Sequence, residues 1–221
     1  MGGYNPVAVA PLFIADLESR LTEPLPGVAA QARMVPQPRT VPTLIRTEEE
    51  AIPSAVLVLL FRKGREWSFF LTERSDSVEY HRGQLSLPGG AQEHGESLES
   101  TALRETEEEI GVVPDAVTLL GELTTLFIPV SGFRVHPFVG WSNEQLETTI
   151  DETEVAALHS IEISTLLDDS SVGRGTRTIR GMEVDVPYFH FGALKVWGAT
   201  AAILSECKDV FADSFELEKT L

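Results

Sequence analysis

GAQEHGESLESTALRETEEEIGV, residues 90–112, is the stretch on which the fold turns. Gly111 ends a pattern that predicts a helix from about Ser97 to Ile110, since glycine readily takes the left-handed conformation past a last helical turn. At about 100° per residue, Ala102, Leu103, Thr106 and Ile110 form one mostly apolar stripe suited to packing on a sheet. Glu105, Glu108 and Glu109 fall on another side within an arc of roughly 100°, and Glu107 points away. Carboxylates at these spacings repel by on the order of a few tenths of a kcal/mol per pair, and a hard cation among them removes the repulsion. Arg104 adds a guanidinium able to orient a neighbouring carboxylate. A glutamate-rich helix is in most proteins only a solvated face, so the three carboxylates alone decide little.

The complete spacing decides more. Gly90 is followed after five residues by Glu96, and after seven more by Arg104-Glu105, Thr106, Glu107, Glu108-Glu109, Ile110, Gly111 and Val112. This resembles the Nudix box, Gly-x5-Glu-x7-Arg-Glu-U-x-Glu-Glu-x-Gly-U with U apolar. Every fixed position matches, and Thr106 at a U position is the one soft departure. The resemblance implies an α+β fold, an α/β/α sandwich with a mixed β-sheet, and hydrolysis of a diphosphate linkage with Mg²⁺ or Mn²⁺. It implies Glu105, Glu108 and Glu109 as metal-binding carboxylates, Glu96 and Arg104 as an orienting pair, and a Gly89-Gly90 turn bringing backbone close to the metal. The family's general base varies; the acidic loop Asp151-Glu152-Thr153-Glu154 is the place to look, with Glu154 the candidate.

Directly before the box stands LTERSDSVEYHRGQLSLPGG, residues 71–90. It is similar to the signature of the coenzyme A pyrophosphatase branch, approximately Leu-Thr-x-Arg-Ser, a spacer, His-x-Gly-Gln, a spacer, then Phe-Pro-Gly-Gly. Arg74, Ser75, His81, Gly83, Gln84, Pro88, Gly89 and Gly90 match, and Leu87 replaces the Phe. SGFRVHPFVGW (131–141) and VWGATAAIL (196–204) also look like that branch, so the resemblance covers roughly residues 53–205. It implies substrate contacts from Arg74, His81, Arg82, Gln84 and Gly90. Coenzyme A carries a 3′-phosphate besides its diphosphate, and a site for it in an acidic protein needs cations. Arg74, His81 and Arg82 are a basic cluster able to supply them. The alternative for Arg74 and His81 is structural: an arginine paired with a surface carboxylate, a histidine capping a turn. Arg174, Arg177 and Arg180 form a second basic group, read as solvated surface.

Further out, AVLVLLF (55–61) is a continuous apolar run with the character of a strand buried on both faces, and WSFFLTE (67–73) returns after a turn at residues 63–65. Residues 86–95 read as loop. VTLLGEL (117–123) and FRVHPFVGW (133–141) read as strands, and EVAALHSI (154–161) fits either strand or helix. STLLDD suggests one helical turn, 176–190 a hairpin turning at Arg180-Gly181, and Gly192 to about Phe211 a packed helix. Residues 7–24 carry a weak helical pattern, and from there to about Pro42 the chain reads as an irregular linker. The division expected is an N-terminal helix and linker extension over 1–50 and a Nudix domain over 51–221.

Seventeen Lys and Arg stand against thirty-four Asp and Glu, a formal net charge of −17. Bulk attraction to a nucleic-acid backbone is thereby excluded, since it requires clustered positive charge. The single Cys207 permits no internal disulfide, suits a reducing compartment, and reads as a core residue. No apolar run of about twenty residues is present, and the apolar segment 7–15 lacks a basic leader, so a cytoplasmic protein without a membrane anchor is expected. The expected partner is a small-molecule substrate, and a homodimer is compatible with the sequence. His94 reads as a solvent-facing loop residue, and His136, His159 and His190 are too scattered to suggest a metal site. Three functions stay open: a coenzyme A diphosphatase, a hydrolase of another nucleotide such as ADP-ribose, a dinucleotide or a dNTP, and a module that binds a nucleotide without cleaving it. A pure binder gains nothing from mutually repelling glutamates, which argues against the third.

Overall fold

The computed structural model describes residues 10–37, 47–75, 84–179 and 182–219. The first of these segments holds α1 (Leu12–Arg20) and α2 (Gly27–Ala32). Helix α1 buries Phe13, Ile14 and Leu17 on one side and pairs Arg20 with Asp16 one turn earlier at 2.7 Å. Helix α2 stands where the sequence predicts irregular chain. Its Ala30 and Gln31 are buried because a buried carboxylate, Glu206, accepts from the Gly27 N–H at 3.1 Å and from Gln31 Nε2 at 3.0 Å. That partner lies 175 residues from Gln31, beyond the reach of a local pattern.

The hairpin of β1 (Ile52–Lys63) and β2 (Glu66–Arg74) turns at Gly64, whose φ of 66° suits glycine. Strand β1 is central. Its Ala55, Leu57, Leu59 and Phe61 face one core and its Val58 and Leu60 the other, as alternation in a strand covered on both sides requires. Residues 85–91 hold β3 (Leu85–Ser86) and β4 (Gly89–Ala91), where the sequence predicts loop from residue 86 onward. Strand β4 is possible because Gly89 has no Cβ: one would stand 2.2 Å from the Ala55 carbonyl oxygen. Next come α3 (Leu98–Ile110), β5 (Thr118–Glu122), β6 (Leu126–Ile128), β7 (Phe133–Trp141), β8 (Val155–Glu162) and α4 (Ile163–Leu167). The ambiguous segment 154–161 is a strand because it pairs antiparallel with β2.

These strands make one eight-stranded mixed sheet ordered β3-β2-β1-β7-β5, with β4 on β1, β6 on β7 and β8 on β2; β1 and β7 run parallel. A smaller antiparallel sheet follows, from β9 (Val172–Ile179), β10 (Met182–Phe191) and β11 (Leu194–Trp197). Strands β9 and β10 pair from Ile179 and Met182 outward, as a hairpin requires; its turn at Arg180-Gly181 lies outside the described residues. The last helix, α5, runs Gly198–Lys219, later at both ends than the sequence predicts. Residues 194–197 alternate with period two, burying Val196 against β10, so they join the sheet instead.

Helices therefore lie on both faces of the large sheet, an α+β sandwich. Helix α3 covers one face with Ala102 and Ile110. Helices α1 and α5 cover the other, where Phe13 meets Trp67 with ring centroids 5.4 Å apart and Phe215 at 5.7 Å. Cys207 is fully buried there, and burial pushes its thiol well above the usual range, as a core role demands. Among the described residues no helix is long and apolar enough to cross a membrane.

Candidate active site

Helix α3 is fixed at both ends. The Ser97 hydroxyl accepts from the Ser100 N–H at 3.2 Å, and Gly111, at φ 75°, donates its N–H to the Glu107 carbonyl at 2.8 Å. Thr106 is buried without cost to the helix, since its hydroxyl donates to the Ala102 carbonyl at 2.7 Å. Glu107 is exposed.

Arg104 binds three glutamates at once. Its Nε lies 2.9 Å from Glu96 Oε1, and its Nη1 lies 2.9 Å from Glu105 Oε1 and 2.8 Å from Glu108 Oε2. The guanidinium contact, joined by the Thr101 hydroxyl at 2.7 Å, holds the Glu96 carboxyl down at about 2. Gly90 makes room for Glu105: a Cβ there would stand 2.5 Å from the carboxyl carbon.

Glu109 is 4% exposed, and its Oε2 is buried with no hydrogen-bond partner among the described residues. Burial pushes its carboxyl up to about 8; the Arg74 charge and the Gly89 N–H pull the other way, and the Glu105 and Glu154 charges add to the rise. Burial likewise raises Glu105. Arg74 ends β2 just after an irregularity that shifts its register, so that Glu73 faces Ala157 and Arg74 faces Val155. The Arg74 N–H donates to the Gln84 carbonyl at 3.1 Å.

The acidic loop is tied to both motifs. The Thr149 and Asp151 N–H groups donate to the Ile110 and Glu109 carbonyls at 2.9 and 3.1 Å, capping α3. Asp151 Oδ1 accepts from the Thr153 N–H and hydroxyl at 2.9 and 2.7 Å, closing a tight turn. The Ser75 N–H donates to the Glu154 carbonyl at 2.8 Å, and its hydroxyl to that of Thr153 at 2.9 Å. Ser75 and Asp151 thus place Glu154. Asp151 belongs to the loop in which the general base was sought, and Ser75 to the matched signature, but neither was expected to position Glu154.

The charges of Arg74, Glu105 and Glu154 and the Gly89 N–H all act on Glu109, Gly90 lies beside Glu105, which Arg104 joins to Glu96, and Gln84 meets Arg74 through the backbone. Glu108 meets Glu105 at the same Arg104 Nη1, and its side chain is 59% exposed. As they stand, no three His, Cys, Asp or Glu side chains among the described residues converge closely enough to hold a metal ion. His81 and Arg82 lie outside the described residues, so the expected basic cluster is represented by Arg74 alone. His94 is exposed; His136 lies 2.6 Å from Glu122 and His159 3.1 Å from Glu73, each in its own pair. Arg174 pairs with Asp185 at 2.9 Å on the surface.

A family model for the NUDIX domain matches residues 51–176. The Nudix hydrolase 3 of Caenorhabditis elegans is 32% identical over 158 residues, 70% of this chain and 65% of that protein, so the chain spans just under two thirds of its length. A Nudix hydrolase called NudL from Yersinia enterocolitica is 37% identical over 145 residues, 63% of this chain and 71% of that one. Among solved structures, the Nudix hydrolase RenU from M. smegmatis has a TM-score of 0.50 at 19% identity, covering 73% of this chain and 86% of that chain, a likeness of fold. With the box residues arranged on α3 and the family match running across more than half of its length, the chain belongs to the Nudix hydrolase family.

Proposed function

We propose that the protein hydrolyses the diphosphate linkage of coenzyme A or acyl-coenzyme A, giving 3′,5′-ADP and (acyl-)4′-phosphopantetheine. One observation carries this reading: Arg74, from the segment that resembles the coenzyme A branch, acts on Glu109, from the box. Two resemblances drawn from separate stretches of sequence thus meet at one place. A cleft of about 690 Å³ adds support. The stacked Phe61 and Phe70 rings, Leu146 and Leu158 line it on the same face of the sheet as α3, together with Arg62, Lys63, Asn143 and Glu144, a mixed lining that suits a tail part apolar and part polar.

The residues fit Mg²⁺ or Mn²⁺. The donors are all oxygen, the unpartnered Glu109 Oε2 is an acceptor in want of a cation, and the Gly90 cradle leaves Glu105 beside the backbone. Glu105, Glu108, Glu109 and the Gly89 backbone are the groups that would hold the ion. When bound it supplies charge neutralisation of the diphosphate and a more acidic water. Arg104 holds Glu96 and Glu105 in place. Arg74 offers positive charge to the diphosphate, and Glu154 takes the proton of the attacking water as the phosphorus–oxygen bond to the leaving phosphate breaks.

The test is product analysis with coenzyme A, acyl-coenzyme A, ADP-ribose and dNTPs in Mg²⁺ or Mn²⁺. The reading expects 3′,5′-ADP from the first two at the highest kcat/KM. Preference for ADP-ribose or a dNTP would replace it with hydrolysis of another nucleoside diphosphate derivative. Binding without turnover of any would make the protein a non-cleaving module.

A further inference from the structure

A second cleft, of about 370 Å³, lies where β11 meets β3. Arg177, Lys195, Trp197, Gln84, Leu85 and Glu73 line it. In a chain of net charge −17, two cations at one opening are a local inversion of the field. Neither pairs with a carboxylate among the described residues. Each rests instead on an aromatic ring: the Arg177 guanidinium carbon lies 4.5 Å from the centroid of Trp197, and Lys195 Nζ lies 4.7 Å from that of Tyr188. The Tyr188 ring is itself seated on a shelf of β9, for a Cβ on Gly173 would stand 2.7 Å from it. An aromatic face orients a cation without neutralising it, so both charges remain available to an anion and lose little freedom on binding one. Among the described residues that line the opening the one acid is Glu73, which lies against His159 at 3.1 Å.

The cleft and the carboxylates share two chain segments. Glu73, which lines it, is followed by Arg74, whose charge acts on Glu109; Gln84, which also lines it, accepts the Arg74 N–H through its carbonyl. We propose that this cleft binds a phosphate monoester carried by the substrate, held by Arg177 and Lys195, while the diphosphate lies at Glu105 and Glu109. The proposal deepens the coenzyme A reading and rests on it, since that substrate bears such a phosphate on its ribose. It also gives Arg177 a role that solvated surface does not.

The experiment is calorimetric binding of 3′,5′-ADP and of 5′-AMP, which differ by one phosphate monoester, to the full chain in Mg²⁺. A charge-assisted contact to phosphate predicts a preference for 3′,5′-ADP of roughly ten- to a hundred-fold. Arg177→Ala and Lys195→Met should each cut that preference while leaving 5′-AMP affinity and the melting temperature unchanged. Equal binding of the two nucleotides by the unmutated protein, or a preference that survives both substitutions, would overturn the proposal. Turnover of coenzyme A is measured separately. Its absence defeats the functional reading alone, because the calorimetric comparison still decides whether the cleft holds a phosphate.

Discussion

The Glu105 carboxylate fills the space that a side chain on residue 90 would occupy, so Gly90 and Glu105 form one steric unit. Gly90→Ala places a methyl carbon 2.5 Å from a flexible carboxylate end, well inside van der Waals contact, and that end must move. The fold should survive with a melting temperature within a few degrees, and kcat should drop at least ten-fold. Unchanged turnover would remove Glu105 from the machinery.

Glu109 should make the metal-free protein less stable as pH rises. Its carboxyl is pushed up to about 8 in the folded chain from an ordinary 4.5. Below about 4.5 both states hold the proton and there is no penalty. Between about 4.5 and 8 the unfolded chain releases it while the folded chain keeps it, so stability is lost across that window, each unit of separation being about 1.4 kcal/mol. Glu109→Gln removes the titration, and its melting temperature in EDTA should gain on the unmutated protein from pH 5 to pH 8. Parallel curves would contradict this.

The same proton opposes metal. Mg²⁺ or Mn²⁺ needs the ionised carboxylate, so affinity measured by titration should rise with pH up to about 8, with proton release on binding, and turnover should follow it into the alkaline range. Turnover should vanish in EDTA and return with excess metal. Persistent activity in EDTA would sink the metal mechanism.

Glu96 titrates in the opposite sense. Arg104 holds its carboxyl at about 2, so its contribution to stability is present above about 4.5 and is lost as pH falls toward 2. Glu96→Gln should lower the melting temperature at pH 7, with the deficit shrinking below pH 4.5. Turnover should fall as well, because Arg104 loses its anchor and Glu105 its fixed partner.

The Arg74 charge acts on Glu109, and its effect should therefore not depend on a distant phosphate. Arg74→Ala removes the charge that pulls the Glu109 carboxyl down, so the pH–rate profile should move to higher pH. Coenzyme A and dephospho-coenzyme A should lose kcat/KM to a similar degree. Selective loss of coenzyme A alone would place Arg74 on the 3′-phosphate instead.

Helix α3 was legible because its information is local: the cap, the apolar stripe, the terminating glycine and the glutamate spacing all lie between Ser97 and Gly111. The strands at 55–61, 67–73 and 133–141 were legible from apolar runs alone. What depends on distant partners was not. Helix α2 is held by Glu206, and β4 exists because Gly89 can approach Ala55. Arg177 is exposed as read, but its contact with Trp197 was not legible, because that ring stands on another strand. The far end of Glu108 was not legible either: helical phase fixes where a Cβ points, but not that Arg104 Nη1 would hold the Glu105 and Glu108 carboxylates together.

Glu218 joins regions that synthesis separates in time. Its carboxylate accepts from the Phe13 N–H at 3.1 Å and from Trp67 Nε1 at 3.3 Å, and it pairs with Arg62. Phe13, buried and in contact with Trp67, Phe211 and Phe215, can be covered only once α5 has been made. The sheet face bearing Trp67, Phe69 and Leu71 therefore stays uncovered until α5 has been made. Contacts spanning some 200 residues carry a large loop-closure cost, so this face is expected to close after the local β1–β2 hairpin has formed.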